Sequence, residues 1–335
     1  MLVGFGIVGQ SFAKLLLASC PELYGRYGIK PRLVACVDNQ GGAFCESGLN
    51  LQRLLEVKRS KGTVGAYFKV ESNAKTNILQ MIENVDSEIL VDVTTTNLEH
   101  GEPATSNIIA GMRSGKHIIT VNKGPLALAF PSLIELANYN NVMLRFSGTV
   151  GGGTPILDFA KRCLKGDRII SFMGILNGTT NYILSKMEDG LTFENALCDA
   201  KQKGYAEAVP SLDIEGYDAA AKLVIMANWI TGMKVTMKDV KRSGIGGIRC
   251  SDILKAQKKG HAIKLIATCD HNHLNVEPTE ISKRDPIYVN GTLNAVTFFS
   301  EHSGQQTIIG HGAGGMETAS AIIRDLIEIK ETAFR

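Results

Sequence analysis

The feature that most constrains the fold is a glycine motif at the start of the chain, Gly4-x-Gly6-x-x-Gly9. A short apolar pair precedes it, and an apolar-periodic stretch follows it. A strand, a glycine turn and a helix in this order are typical of a dinucleotide-binding fingerprint, although a plain tight turn has the same spacing. The residues that we expect to border the pyrophosphate are Gly4, Phe5, Gly6, Ile7, Val8 and Gly9.

Strand-like and helix-like stretches alternate through the first 145 residues. Apolar periodicity predicts a helix from Ile7 to Cys20, ended by Pro21, and another from Ala104 to Arg113. Short apolar runs predict strands at Leu2-Val3, Leu33–Val37, Ile89–Val93 and His117–Val121. Alternation of this kind predicts an α/β fold with a Rossmann-type, doubly wound parallel sheet and helices on both faces.

The pattern changes after residue 145. A glycine turn at Gly148–Gly153 leads into a helix at Pro155, and a β-rich stretch covers Ile263–Phe299. A last turn, Gly310–Gly315, starts a helix over Thr318–Lys330. We therefore expect a nucleotide-binding domain over 1–145, an α+β domain over 146–305 and a C-terminal segment over 306–335 that packs back on the first domain.

Composition and charge exclude several classes of protein. The 335 residues carry a net charge of +3 with dispersed basic side chains, so nothing predicts a nucleic-acid-binding face. No apolar run approaches the roughly 20 residues of a membrane-spanning helix, and no leader segment is recognisable. The seven cysteines are scattered without a C-x-x-C pair, which disfavours zinc, disulfide and dithiol chemistry and favours the cytoplasm. His271 and His273 are isolated, which disfavours a metal site there.

The end of the second predicted strand bears on the choice of dinucleotide. Asp38 is placed to accept hydrogen bonds from the adenosine ribose, which favours NAD over NADP. It follows Gly9 by 29 residues rather than about 20, so we expect the stretch over 22–31 to be looped out. Lys58 and Arg59 leave an alternative open, because they could meet a 2′-phosphate or simply form a solvated basic turn.

Polar residues follow two further predicted strands. Thr94, Thr95, Thr96 and Asn97 stand after one strand, and Asn122-Lys123 stands after the next. Ligands of open α/β sheets bind at the carboxyl ends of the strands. Lys123 is therefore a candidate active-site cation, with an exposed turn lysine as the alternative.

The densest polar cluster in an apolar setting lies between Gly204 and Lys222. Asp218 and Lys222 are four residues apart, so on a helix they share one face. Apolar residues around them predict a buried helix start. A lysine there either pairs structurally with the carboxylate or takes part in proton transfer.

Five ordered motifs together resemble the homoserine dehydrogenase family across nearly the whole chain. They are the Gly4–Gly9 turn, Val121–Pro125, Gly148–Pro155, Leu176–Tyr182 and Gly204–Lys222, with Gly310–Gly315 as a further match. Gln40 departs from some relatives, which place an arginine there for a 2′-phosphate. The chain also ends soon after the last predicted helix, so the resemblance is to a short form without a kinase or C-terminal regulatory domain.

The resemblance implies interconversion of L-homoserine and L-aspartate 4-semialdehyde by hydride exchange with NAD, or with NADP, in the biosynthetic route to threonine, methionine and isoleucine. It implies Lys222 as proton donor and acceptor, with Lys123 as a second cation. The substrate-binding residues that it implies are Glu207 for the ammonium group, Asp213, Asp218, Thr179 and Tyr205. The residues expected to border the cofactor are Thr94, Thr95, Lys123 and Gly314.

The turn after the first domain resembles the family's monovalent-cation loop. The resemblance implies that carbonyl oxygens of Ser147, Val150, Gly152 and Thr154 bind sodium, and hard cations do take oxygen ligands. Relatives often have glutamate where Ser147 stands, so a side-chain contribution would be lost. An empty turn that feeds a helix is the alternative.

The sequence leaves two alternative functions to weigh, and it also bears on how many chains assemble. A thiol-dependent aldehyde dehydrogenase would need a cysteine at a helix N-terminus near a histidine, and Cys163 and Cys198 lie inside predicted helices. A non-catalytic NAD sensor would keep the glycine turn without needing the polar cluster. Exposed strand edges in the second domain, together with the resemblance, imply a homodimer.

Overall fold

The computed structural model describes residues 1–68, 77–207, 209–270 and 273–333. It divides into two compact units, each with its own sheet. Unit 1 comprises Met1–Thr149 and Gly314–Arg335, and unit 2 comprises Val150–Ala313. The C-terminal helix therefore belongs to the same unit as the N-terminal strands. Within the described residues, no helix is both long enough and apolar enough to cross a membrane.

The sheet of unit 1 confirms the predicted Rossmann-type fold. Its strands are β1 (Leu2–Val3), β2 (Ala35–Asp38), β3 (Gly41–Phe44), β4 (Ile89–Asp92), β5 (His117–Thr120) and β6 (Leu144–Arg145). Their order is β3-β2-β1-β4-β5-β6, and every pair is parallel except β2 with β3. Since only two residues join β2 to β3, that pair can form only an antiparallel hairpin. The central β1 pairs with β2 on one side and β4 on the other, which is the point where the strand order reverses.

The helices of unit 1 are α1 (Ile7–Tyr27), α2 (Leu51–Lys61), α3 (Ile78–Asn84), α4 (Ala104–Arg113), α5 (Lys123–Tyr139) and the C-terminal helix Gly315–Ala333. The prediction that Pro21 ends the first helix is wrong. Pro21 is exposed, whereas Leu23 beyond it is buried in the core, so packing continues the helix to Gly28, which caps it with φ +64°. The stretch expected to be looped out is therefore partly helical.

The C-terminal helix shares the core of unit 1. Ala319, Ile322 and Ile329 are buried in one cluster with Leu2 of β1 and Phe12 of α1. Burial of each large apolar side chain contributes about 1.5–3 kcal/mol, so this packing fixes the helix to the sheet.

Unit 2 contains a second six-stranded sheet within the described residues. Its strands are β7 (Ile169–Ile175), β8 (Val240–Arg242), β9 (His261–Asp270), β10 (His273–Ser282), β11 (Leu293–Ser300) and β12 (Gly304–His311), in the order β12-β11-β7-β9-β10-β8. Sequence analysis missed β12, because an edge strand with one exposed face carries glycine and glutamine instead of an apolar run. His273 opens β10, and His271 lies outside the described residues.

The helices of unit 2 are α6 (Ile156–Asp158), α7 (Gly178–Glu188), α8 (Phe193–Gln202), α9 (Ser211–Ile214), α10 (Tyr217–Met226) and α11 (Cys250–Lys258); we label the C-terminal helix of unit 1 α12. The side chain of Asn177 caps α7 by accepting a hydrogen bond from the Thr180 amide. Eight of the ten residues of α10, Ala219–Met226, are buried, so the polar residues at its start enter an apolar environment.

Candidate active site

The glycine turn of unit 1 leaves the start of α1 open on one side. Gly4 has φ +99°, and a β-carbon there would come within 2.6 Å of the Val93 carbonyl oxygen. A β-carbon on Gly9 would lie 2.3 Å from the Gly4 carbonyl oxygen, so turn and helix pack too tightly for any side chain. Around Gly6, by contrast, a β-carbon would meet no heavy atom within 4 Å. That open space is what the approach of a pyrophosphate requires.

The first turn of α1 fits an anionic group. No side chain caps the helix at Gly6, and the first turn holds no acidic residue. Its amide groups and the positive end of the helix dipole are therefore available to a phosphate. A β-carbon on Gly315 would lie 2.7 Å from Ser11 Oγ, so the start of α12, with Gly314 before it, packs on the first turns of α1. The expected dinucleotide fits these residues.

Asp38 ends β2 as predicted, but its carboxylate is already engaged within unit 1. Its two oxygens accept hydrogen bonds from the Lys58 ammonium at 2.7 Å, the Thr63 hydroxyl at 2.9 Å and the amides of Gln40, Gly41 and Val64. Burial alone would raise the pKa of Asp38, but these donors, led by Lys58, outweigh burial and hold the pKa below its usual value. The side chain therefore carries a fixed negative charge at neutral pH, and Lys58 is paired with it.

The carboxyl ends of β4 and β5 are tied together by one amide. Asn122 caps α5 by accepting from the Gly124 amide at 3.0 Å. Its Nδ2 donates to the carbonyl oxygens of Thr94 and Thr95 at 3.2 and 3.1 Å. This amide therefore brings the predicted residues Thr94 and Thr95 to the start of the helix that begins at Lys123.

In unit 2, Lys222 lies in a buried hydrogen-bonded cluster. Its Nζ is 2.7 Å from the Asp218 carboxylate and donates to the Leu176 carbonyl oxygen at 2.7 Å. The lysine side chain is only 8% exposed. An ammonium group has three N–H donors, so these two partners leave one for a further acceptor.

Asp213 and Asp218 meet at a shared amide. Asn177 Nδ2 donates to Asp213 at 2.7 Å and to Asp218 at 3.0 Å. Burial, followed by the negative charge of Asp218, raises the pKa of Asp213, while the hydrogen bond from Asn177 partly opposes the rise. Two carboxylates with unequal environments therefore lie beside one lysine.

Two further predicted substrate residues, Thr179 and Tyr205, contact each other near the start of α7. The Thr179 hydroxyl donates to the Tyr205 carbonyl oxygen at 2.7 Å, and the Tyr205 ring packs on the Tyr182 ring with centroids 4.9 Å apart. Glu207 is exposed, and among the described residues no donor of the cluster reaches its carboxylate.

Sequence analysis did not assign roles to three side chains that the structure places at this cluster. They are Asn177, which joins the two carboxylates, Tyr182, which supports Tyr205, and Asn294, whose Nδ2 shares the Leu176 carbonyl oxygen with Lys222. An asparagine before Gly178-Thr179-Thr180 is a recognisable helix N-cap signal, so Asn177 could have been found. Asn294 comes from a distant strand, and nothing local marks it.

The residues expected to bind a cation fall in both units. In unit 1, the hydroxyl and amide of Ser147 both donate to the buried Asp325 carboxylate, at 2.6 and 3.1 Å. In unit 2, Gly151 and Gly152 have φ +81° and +54° and form a tight turn around Val150 and Thr154. The Thr154 hydroxyl donates to the His311 carbonyl oxygen at 3.1 Å, and the Thr154 carbonyl oxygen accepts from the Ile156 amide at 2.8 Å, so a cation here would share that oxygen with the amide.

Comparison with known proteins gives a consistent result. The homoserine dehydrogenase family model matches residues 155–327. A homoserine dehydrogenase of Methanocaldococcus jannaschii is 44% identical over 98% of this chain and 97% of its own length. An NAD(+)-dependent homoserine dehydrogenase of Pseudomonas canavaninivorans is 37% identical over 100% of this chain and 96% of its own length. A hyperthermophilic archaeal homoserine dehydrogenase, solved in complex with NADPH, superposes with a TM-score of 0.85 at 28% identity over 98% of this chain and 95% of its own.

The open glycine turn of unit 1 and these relatives identify the chain as an NAD(P)-dependent oxidoreductase. Both units are covered by relatives more than a third identical to this chain. The chain belongs to the homoserine dehydrogenase family, and its activity is the NAD(P)-dependent interconversion of L-homoserine and L-aspartate 4-semialdehyde.

Proposed function

We propose that Lys222 exchanges the proton at the reacting oxygen of the substrate. The observation that carries this proposal is the position of its Nζ, held between Asp218 and the Leu176 carbonyl oxygen with one donor left over. During homoserine oxidation Lys222 acts as the neutral amine, whose lone pair stands in place of the third N–H and takes the hydroxyl proton. During semialdehyde reduction the ammonium form returns a proton to the carbonyl oxygen. Asp218 stabilises the ammonium form that results.

The other polar residues of unit 2 orient the substrate. Asp213 lies close enough to Asp218 for their charges to interact, and together with Thr179 and Tyr205 it supplies groups for the polar end of an amino acid. Glu207, which is exposed, receives the substrate ammonium group. A charged hydrogen bond of this kind favours a hydroxy-amino acid over a simple alcohol.

Unit 1 holds the dinucleotide. Gly4–Gly9 and the free amides of α1 bind the pyrophosphate, while Thr94, Thr95, Lys123 and Gly314 border the nicotinamide. The bound nicotinamide ring supplies the hydride acceptor for oxidation and the donor for reduction. Lys123, at the first turn of α5, would contribute its cationic side chain to this site.

We propose NAD as the preferred dinucleotide. The fixed negative charge of Asp38 opposes a 2′-phosphate, and Lys58, the nearest cation, is committed to Asp38. One relative is named for NAD(+) and another was solved with NADPH, so membership of the family does not by itself decide between NAD and NADP.

We propose that the carbonyl oxygens of Ser147, Val150, Gly152 and Thr154 bind a monovalent cation, sodium. The Ser147 side chain is turned to Asp325, which supports ligation through backbone oxygens. The measurement is activity in sodium chloride against an equal concentration of tetramethylammonium chloride. Equal rates in the two salts would contradict the proposed sodium site.

We further propose that the enzyme is a cytoplasmic homodimer that serves the route to threonine, methionine and isoleucine. All seven cysteines are free thiols, which suits a reducing compartment. The edge strand β12 has an exposed face, with Ile309 48% exposed, and an edge of this kind is a pairing surface. Light scattering on the purified protein gives the mass that decides between one chain and two.

The direct test of the activity is the appearance of reduced nicotinamide when the protein is mixed with NAD and L-homoserine. L-Serine, one methylene shorter, is the matched control and should react far more slowly. Binding of NAD without turnover on any hydroxy-amino acid would contradict the enzyme assignment and favour a sensor. Turnover that is abolished by a thiol-alkylating reagent would favour the thiol-dependent alternative.

A further inference from the structure

Unit 1 contains a buried carboxylate that the proposed mechanism does not use. Asp92 is the last residue of β4 and is 0% exposed. Its oxygens accept hydrogen bonds from the Thr94 hydroxyl at 2.7 Å, the Thr94 amide at 3.2 Å and Asn107 Nδ2 at 2.9 Å. Burial raises the pKa of Asp92, and these three donors, led by Asn107, oppose the rise. Among the described residues its hydrogen-bond partners are all neutral groups, so the carboxylate is satisfied only while these donors stay in place.

The hydrogen bond from the Thr94 hydroxyl to Asp92 determines which groups donate and which accept in the contacts with Asn122. Because the Thr94 hydroxyl donates to Asp92, it accepts from Asn122 Nδ2 at 3.2 Å. The same amide nitrogen holds the carbonyl oxygens of Thr94 and Thr95, and Asn122 Oδ1 accepts from the Gly124 amide. One connected set of hydrogen bonds therefore runs from Asn107 on α4, through Asp92, to the first turn of α5.

The two ends of this network differ in exposure. Asp92 and Asn107 are buried, with no open side for a ligand, whereas Thr95 is exposed and Lys123 is half-buried at the start of α5. The buried end therefore acts only through the residues that it holds. Small displacements of such residues are costly, since a misplacement of about 1 Å can lower a rate about 10²-fold.

We propose that Asp92 and Asn107 are positioning residues of the dehydrogenase reaction, which hold Thr94, Thr95 and Lys123 in the arrangement that orients the nicotinamide for hydride transfer. This inference rests on the proposed roles of Thr94, Thr95 and Lys123. The pyrophosphate is bound elsewhere in unit 1, by the Gly4–Gly9 turn. Loss of Asp92 therefore affects the hydride step more than it affects the binding of the dinucleotide.

The test is the substitution Asp92→Asn, which keeps the shape and changes a pure acceptor into a group with two donors. An asparagine that still accepts from Thr94 turns its NH₂ group toward the NH₂ group of Asn107, so either the two groups move apart or the Asn107 amide turns over, and the network is disturbed there. We expect kcat to fall about tenfold or more, with the Kd for NADH within about threefold of wild type. The primary isotope effect with C4-deuterated NADH should rise, because hydride transfer then limits the rate.

The double substitution Asp92→Asn with Asn107→Asp exchanges the acceptor and the donor and restores a matched pair. We expect it to recover kcat to within about threefold of wild type. Ile108→Ala is the control for stability, because Ile108 is the buried neighbour of Asn107 on α4 and makes no part of the network. It should lower Tm while leaving kcat nearly unchanged.

Three results would overturn the inference. They are a normal kcat in Asp92→Asn, a folded double variant that stays impaired, and a loss of kcat in Ile108→Ala as large as that in Asp92→Asn. The substitution Lys123→Ala distinguishes an error in the proposed nicotinamide position from an error in the role of Asp92. If Lys123→Ala and Asp92→Asn both keep full turnover, the proposed nicotinamide position is wrong, whereas loss in Lys123→Ala alone rejects only the role of Asp92.

Discussion

The two units prepare their ligand-binding residues in different ways. In unit 1 the glycine turn is defined by what is absent, since Gly4 and Gly9 exclude any side chain and Gly6 leaves open space. In unit 2 the cluster is defined by charged side chains, with Lys222 buried against Asp218 and Asp213 beside them. Binding a constant group such as a pyrophosphate needs only backbone amides, whereas moving a proton needs a group that titrates. Substitutions in the two units should therefore fail in different ways.

The largest expected effect separates charge from proton exchange in unit 2. Lys222→Arg keeps a positive charge beside Asp218 but cannot release its proton near neutral pH. We expect kcat for homoserine oxidation to fall roughly 10²–10⁴-fold, the range for loss of a general acid or base. The Kd for NADH, measured by fluorescence titration, should not change. An arginine variant with near-normal kcat would mean that Lys222 contributes only its charge.

The glycine turn of unit 1 offers a matched pair of substitutions. Gly9→Ala places a β-carbon 2.3 Å from the Gly4 carbonyl oxygen, so the turn must shift, and we expect a loss of roughly 1–3 kcal/mol in unfolding free energy. Gly6→Ala meets no protein atom, so Tm should hold while NAD binding weakens. Thermal melting and NADH titration of both variants check this. Equal melting curves for the two variants would contradict the account of the turn.

Asp38 sharpens the comparison because it brings a charged side chain into unit 1. We expect kcat/KM to be higher with NAD than with NADP, since the carboxylate repels a 2′-phosphate, at a cost of roughly 1–2 kcal/mol. Asp38→Ala should narrow the difference, and Lys58→Ala, which removes the compensating cation, should widen it. A wild-type enzyme tenfold better with NADP would refute the preference and turn attention to Lys58 and Arg59.

The smallest expected effect is a pH dependence of stability from the same carboxylate. The pKa of Asp38 is lower in the folded protein than its reference value of 3.8, so its ionised form stabilises the fold above that pH. That contribution is lost as the pH falls through the lowered folded-state pKa. Asp38→Asn should therefore lower Tm near neutral pH, with the difference from wild type shrinking below about pH 4. A difference in Tm that is constant with pH would indicate lost packing instead of lost charge.

The same contrast explains how much the sequence could predict. Local spacing sufficed for α4, whose bounds Ala104–Arg113 agree with the prediction, and for the glycine turn. It failed for α1, where tertiary burial of Leu23 carries the helix past Pro21, and for the polar edge strand β12.

Contacts between distant parts of the chain were beyond the sequence. The pairings of Asp92 with Asn107 and of Asn294 with the Leu176 carbonyl oxygen join residues that no periodicity connects. The pairing of Asp218 with Lys222 was readable because a helix brings residues four apart together. The proposed roles of these residues stay predictions until variants are measured.

The most direct test of the central claim is to measure kcat and Tm together for Lys222→Ala. If the lysine exchanges the substrate proton, kcat falls roughly 10²–10⁴-fold while the Kd for NADH keeps its wild-type value. If the lysine is only the structural partner of Asp218, Lys222→Ala and Asp218→Ala lose Tm together and both keep turning over. Near-normal kcat in a destabilised Lys222→Ala protein would contradict the account.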